Sequence, residues 1–395
     1  MFPLIALVLL LLYVPVRLSR GFPAMMRVSV WFIVAFKTVL VIVVHAQIVS
    51  TTGHPIIADD AVDARAYYDV GEAFVDYSPW EITRGEVRSV RGASSHLGYY
   101  YLNILAFQVC PEYPMLFLRL LKLLIFHIAL GMLATSWRLS TSATRAFVGY
   151  VVLGVLFYQL FYYIFRNTKD DIILSLFMMI MAIADRTIGV VSSGRPAATR
   201  ARMLASWAAI GVLIWMLSEL RFYLGFAIVC AFGLHLVTGR GMKLVHRMLL
   251  GGIIAVGVVL LMGTSGFGLV EERGGASALT SALLNPYGLF KLFVTPLPWQ
   301  HANRMLSIPH TLYLFMLAPA LWAFVARFRS NLDWKLYVVL AVALVVGGHM
   351  NNFNPRKRYV MYPVFVGWMV MMGRRKTSGA SDSETSEFDL DAYFA

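Results

Sequence analysis

The chain has 395 residues, of which 59% are hydrophobic and only 14% charged, with a formal net charge of +13. Soluble domains carry about 25% charged residues, so one water-soluble core cannot absorb this sequence, and the chain reads as an integral membrane protein. The basic residues lie between apolar runs rather than on a soluble basic face, which excludes nucleic acid as a partner, and two cysteines, Cys110 and Cys230, make neither a disulfide framework nor a metal-ligand spacing.

In chain order, apolar segments of spanning length fall at 2–16, 28–49, 114–136, 146–165, 171–185, 203–218, 222–238, 248–270, 311–326, 336–350 and 359–373. They predict an all-α polytopic bundle of about eleven spans over residues 1–376. No basic region precedes 2–16 and no A-x-A site follows it, so it reads as a retained span. A shorter apolar piece at 97–110 is expected to lie in the interface or to re-enter.

Every second connection is rich in Lys and Arg: Arg17, Arg20 and Arg27, then Arg138 and Arg145, then Arg186, Arg195, Arg200 and Arg202. The series continues through Arg240, Lys243 and Arg247, then Arg327, Arg329 and Lys335, and ends at Arg374, Arg375 and Lys376. The positive-inside rule puts these connections in the cytoplasm, with the N-terminus outside and the C-terminus inside. The expected setting is a bacterial inner membrane, in contact with its lipid. The tail 377–395 is polar and acidic and is expected to be disordered.

The remaining connections then face outward. Two are long, at 50–96 and 271–310. The first carries ADDAVDARAYYD over residues 58–69, with carboxylates at Asp59, Asp60, Asp63 and Asp69. The short ones carry Arg166, Lys169, Asp170 and Asp171; Glu219 and Arg221; and Arg356, Lys357, Arg358 and Tyr359. A charge at a span centre costs roughly 2.5–3.5 kcal/mol on the insertion scale, so charges kept near hydrocarbon usually pair or line a polar cavity. A shared outward cavity is the simplest common reason. Taken singly, each charge also reads as an interfacial anchor or a solvated loop residue, and Arg356, Lys357 and Arg358 also suit lipid phosphates.

Carboxylates faced by Arg and Lys suit a substrate with a phosphate leaving group. Arg binds phosphate through two donors, Lys acts as a point charge, and a carboxylate removes a proton from an attacking hydroxyl. Glycosyl transfer from a lipid-linked sugar phosphate needs both functions.

Two stretches carry a family resemblance. Asp63-Ala64-Arg65-Ala66-Tyr67-Tyr68 followed by Gly71-Glu72-Ala73 is an Asp, a Tyr and a small residue in the first long outward loop. Ser95-His96-Leu97-Gly98-Tyr99-Tyr100-Tyr101 then precedes Arg119, without prolines after the histidine, and Arg358-Tyr359 stands before Pro363. This pattern resembles the GT-C superfamily of polyprenyl-phosphate-dependent glycosyltransferases. The resemblance implies a GT-C-like bundle, a polyprenyl-linked sugar donor and a glycan or glycolipid acceptor. It implies a base among Asp63, Asp60 and Asp59, with the substrate held by Arg119, Arg166, Lys169, Asp170, Glu219, Arg221, Arg356, Arg358 and Tyr359. No cofactor is named by the residues. Where relatives use a divalent metal, the same carboxylates would hold it through oxygen.

The outward Arg166, Lys169, Asp170 and Arg221 are also similar to elements of O-antigen and exopolysaccharide polymerases, which transfer a whole repeat unit. The second long loop, with Trp299 and His301, suits sugar stacking, or an interfacial belt. From another class, a secondary transporter would use charges inside spans, of which Lys37 and His127 are the clearest.

Overall fold

A computed structural model describes residues 1–56, 62–78, 82, 86, 97–156, 164–192, 198–238, 304–326, 334–339 and 360–371. Among the described residues the regular structure is helical throughout and contains no strand. The predicted span at 248–270, most of that at 336–350, most of the loop 271–310 and the tail 377–395 lie outside these residues.

The chain opens with α1 (Phe2–Leu18) and α2 (Ala24–Thr52), which pack on each other. The turn between them is closed by the Phe22 amide donating to the Ser19 carbonyl at 2.8 Å. Gly53 ends α2 at φ 67°, a left-handed conformation that glycine takes without a Cβ clash, and its amide returns to the Val49 carbonyl.

Two shorter helices follow, α3 (Val62–Ala73) and α4 (Leu97–Val109), packed together. The sequence reads 50–96 as a loop, yet residues 62–73 form a helix. Ala64, Ala66, Tyr67 and Val70 are buried, giving this segment, which also carries Asp63, Arg65, Asp69 and Glu72, one apolar face, which it lays against α4.

Next comes α5 (Pro114–Ser140), started by a proline whose missing N–H costs nothing at a first turn. Its 27 residues, at about 1.5 Å each, reach roughly 40 Å, more than the ~30 Å hydrocarbon core of a bilayer. It contacts α1, α2, α4, α7 (Asp170–Ser192) and the pair formed by α6 (Ala143–Val151) and the π-helical turn Val152–Leu156. Then come α8 (Ala198–Leu220), α9 (Phe222–Thr238), α10 (Arg304–Ala326) and α11 (Tyr362–Met371). The single residue Arg221 separates α8 from α9, and its amide donates to the Leu217 carbonyl at 2.7 Å.

Among the described residues three helices are long and apolar enough to cross a membrane, α2, α5 and α8. The apolar window of α5 is 72% buried against 28% for α2 and 17% for α8, so α5 is the centre and the other two are periphery. The exposed faces of α2 and α8 carry Trp31, Phe32, Phe36, Leu204 and Trp215, an apolar surface suited to lipid rather than water.

At the C-terminal end of α5, Trp137 is fully buried against Gly149 of α6 and Gly367 of α11. A Cβ at Gly149 would stand 2.5 Å from the Trp137 ring and 2.8 Å from Val370, whereas one at Gly211 of α8 would meet nothing within 4 Å. Gly149→Ala should therefore lower stability by about 1–3 kcal/mol through overpacking, and Gly211→Ala should raise it by up to about 1 kcal/mol through helix propensity. Thermal unfolding of the two variants in one detergent checks the contrast.

Candidate functional site

The N-terminal end of α5 carries two cations one turn apart, Arg119 and Lys122, each 1% exposed. Residues three apart share a helix face, and this face meets the segment that ends at Arg166. Arg119 Nε donates to the Phe165 carbonyl at 3.0 Å. Lys122 Nζ donates to the Arg166 carbonyl at 2.8 Å and lies 3.5 Å from that of Ile164. Ile164 and Phe165 are the last helical residues before the turn, and terminal carbonyls have no partner within a helix. The two side chains satisfy them.

The same cations reach further. Arg119 Nη2 donates to the Pro55 carbonyl at 2.7 Å and its Nη1 meets His45 Nδ1, so it also holds the chain leaving α2. Lys122 pairs with Asp171 at 3.1 Å, both side chains 1% exposed. Asp170 and Asp171 open α7, where a helix N-terminus favours negative charge. Asp170 Oδ1 accepts from Arg221 at 2.6 Å, tying the start of α7 to the break between α8 and α9.

An amide joins this cluster to the acidic segment. Asn167 Nδ2 donates to the Ala64 carbonyl of α3 at 2.9 Å and to Asn103 Oδ1 at 3.0 Å, while Tyr99 donates to Asn167 Oδ1 at 2.9 Å. Asn167 is 1% exposed and Asn103 fully buried. The Tyr67 ring packs on Tyr99 and Tyr100 at 4.6 and 4.7 Å, and Lys122 Nζ stands 5.9 Å from the Tyr99 ring centre. Gly98 lets α4 approach α8, since a Cβ there would lie 3.2 Å from that of Glu219. Further along α3, burial and then the charges of Glu72 and Asp69 raise the Tyr68 phenol above its ordinary value.

No protein-family model, curated protein or solved structure matches this chain. The site therefore stands on its own geometry.

Among the sequence-predicted residues, Arg119, Arg166, Lys169, Asp170, Glu219 and Arg221 fall at this one end of the bundle, gathered by α4, α5, α7, the 166–169 turn and the α8–α9 break. Arg221 pairs with Asp170. Asp63 is the second residue of α3, one before the Ala64 carbonyl that Asn167 holds. Asp59, Asp60, His301, Arg356, Arg358 and Tyr359 lie outside the described residues. Among those described, no group of three or more His, Cys, Asp or Glu could hold a metal ion.

The sequence reading does not single out Lys122, Tyr99, Asn103 or Asn167. Lys122 carried a signal, because it follows Arg119 by three residues inside an apolar span.

Two outcomes check this construction. Asn167→Ala should speed amide hydrogen exchange across residues 62–73 by at least tenfold while leaving α5 unchanged, because α3 loses its donor from the turn. Lys122→Met leaves Asp171 buried without its cation and should cost about 3–5 kcal/mol, whereas Lys122→Met with Asp171→Leu should recover the part due to the unpaired carboxylate and keep the cost of the carbonyls that lose their donor, about 1–3 kcal/mol. Chemical denaturation of the three proteins measures it.

Proposed function

We propose that this chain is an integral-membrane glycosyltransferase with about eleven spans in a GT-C-like bundle. It moves a sugar from a polyprenyl-linked donor to a glycan or glycolipid acceptor on the outer face of a bacterial inner membrane. The observation that carries this reading is the Asn167 bridge, which brings the acidic helix α3, with Asp63 at its start, onto the end of the bundle where the cations collect. A carboxylate for the acceptor and cations for the leaving group are the two things such a reaction needs.

In the proposed step Asp63, Asp60 or Asp59 takes the proton of the acceptor hydroxyl. The acceptor oxygen bonds to the anomeric carbon, and the bond from that carbon to the phosphate oxygen breaks. The electron pair leaves with the phosphate, which the cations hold. Arg166, Lys169 and Arg221, together with Arg356 and Arg358, are assigned to that phosphate. The donors of Arg119 and Lys122 are given largely to backbone carbonyls, so these two are assigned to building the site rather than to binding.

The test replaces Asp59, Asp60 and Asp63 by Asn one at a time, each variant checked for normal membrane insertion, and follows glycans and lipid-linked sugars in the cell. One well-inserted variant should lose a glycan product and accumulate its lipid-linked precursor, at least a hundredfold down if the lost group is the base. Glycans unchanged in all three would sink the reading.

A further inference from the structure

The helices α1 and α5 pack closely at one end and part at the other. At the Leu18 end of α1, a Cβ on Gly131 of α5 would lie 3.3 Å from that of Leu18, and Thr135 Oγ1 donates to the Leu18 carbonyl at 3.2 Å. At the other end the two helices leave a groove of about 380 Å³. Leu4, Ile5 and Val8 of α1 form one wall, Leu116 and Leu120 of α5 the other, and Ile42 of α2 closes a third side. Leu4 and Val8, like Leu116 and Leu120, are four residues apart and share a helix face.

Burial separates the floor of this groove from its mouth. Leu4 and Leu120 are 8% and 1% exposed, whereas Ile5, Ile42 and Tyr113 are 56%, 38% and 44% exposed. Apart from the Tyr113 phenol the lining side chains offer no hydrogen-bonding group, so water gains nothing there. The mouth opens in a surface that is itself apolar: Phe2 and Leu9 of α1 and Val39 and Val43 of α2 are each more than half exposed. In a bilayer the neighbour of such a surface is hydrocarbon, and a chain that turns in from it fills the groove without desolvating a polar group.

Shape and place narrow the occupant. From Tyr113 to Leu120 the α5 wall runs for about 10 Å, so the volume gives a mean cross-section of roughly 40 Å². That is wider than a straight methylene chain, and close-packed proteins leave little space unfilled, so a chain with regular methyl branches fits better. Leu116 and Leu120 stand on either side of Arg119 along α5, and Ile42 stands one turn before His45, whose Nδ1 meets Arg119. The groove therefore lies at the end of α5 that builds the cation site.

We propose that this groove takes the phosphate-proximal isoprene units of a polyprenyl phosphate, the chain passing in sideways from the lipid. The groove as a lipid-chain site stands on its own walls; that the chain is isoprenoid and carries a phosphate rests on the glycosyl-transfer reading.

Photolabelling in lipid nanodiscs tests it, with a farnesyl phosphate that carries a diazirine on its chain, followed by peptide mapping. Label should concentrate on residues 1–8 and 113–120 and fall when unlabelled farnesyl phosphate is added. Label on the lipid-facing surface around Phe36 and Trp215 should not fall. Val8→Trp, which fills the groove, should cut the competed label about tenfold, the equivalent of roughly two methylene groups lost from burial. Label spread in proportion to exposure and untouched by competitor overturns the proposal, as does equal competition by hexadecyl phosphate, whose chain is unbranched. Farnesol competing as well as farnesyl phosphate supports the groove as an isoprenoid site and removes the phosphate reading instead. If Val8→Trp does not fold, competition in the wild-type protein decides.

Discussion

The structure depends first on one polar constraint, the carbonyls of Ile164, Phe165 and Arg166. A helix that ends inside a bundle leaves backbone acceptors that neither lipid nor apolar side chains can satisfy. Arg119 and Lys122 reach them from α5. The two cations are expensive in an apolar helix, and each meets several acceptors at once, so the cost of burying a charge is offset by carbonyls and by Asp171. With the turn at 166–169 fixed, α7 starts in one place, and Asp170 can meet Arg221 across the α8–α9 break.

The acidic segment is built onto that fixed turn. Asn167 offers its donors to Ala64 and Asn103 and its acceptor to Tyr99, so one neutral amide joins α3, α4 and the turn. Tyr67 then fills the space between Tyr99 and Tyr100. Gln108 of α4 holds the chain beyond α3 through the carbonyls of Val75 and Tyr77. Asp63, one of the three proposed bases, is thus carried on a helix docked in part by polar contacts rather than on a free loop, a better support for positioned chemistry.

Much of the fold was legible in the sequence because apolar length is a local property. The apolar segments expected at 2–16, 28–49, 114–136, 171–185, 203–218 and 222–238 coincide with the helices α1, α2, α5, α7, α8 and α9, shifted by up to seven residues at their ends, and of these α2, α5 and α8 are long and apolar enough to cross a membrane. A short join before Phe222 was legible too, expected over 218–221 and found to be the single residue Arg221. The helix α3 was not, since the charges at Asp63, Arg65, Asp69 and Glu72 interrupt its apolar residues and only its contact with α4 reveals the buried face. Asn167 was illegible for a different reason: its partners are 64 and 103 residues away, and nothing local marks a neutral amide as a hub. Lys122 hid inside hydrophobicity, although its spacing from Arg119 placed both on one face. The gathering of charges at one end of the bundle was legible as a coincidence of connections; which cation meets which acceptor required coordinates.

The central claim is the proposal that the end of the bundle built around Arg119 and Lys122 presents Arg166, Lys169 and Arg221 to the phosphate of a polyprenyl-linked substrate. The most direct measurement is thermal unfolding of the purified chain in nanodiscs with a polyprenyl phosphate, and again with the same polyprenol lacking the phosphate. A ligand bound only by the folded state raises the unfolding temperature as its concentration passes its dissociation constant. The account predicts a saturable rise with the phosphate and none with the alcohol. Equal shifts for both, or none for either, would contradict it.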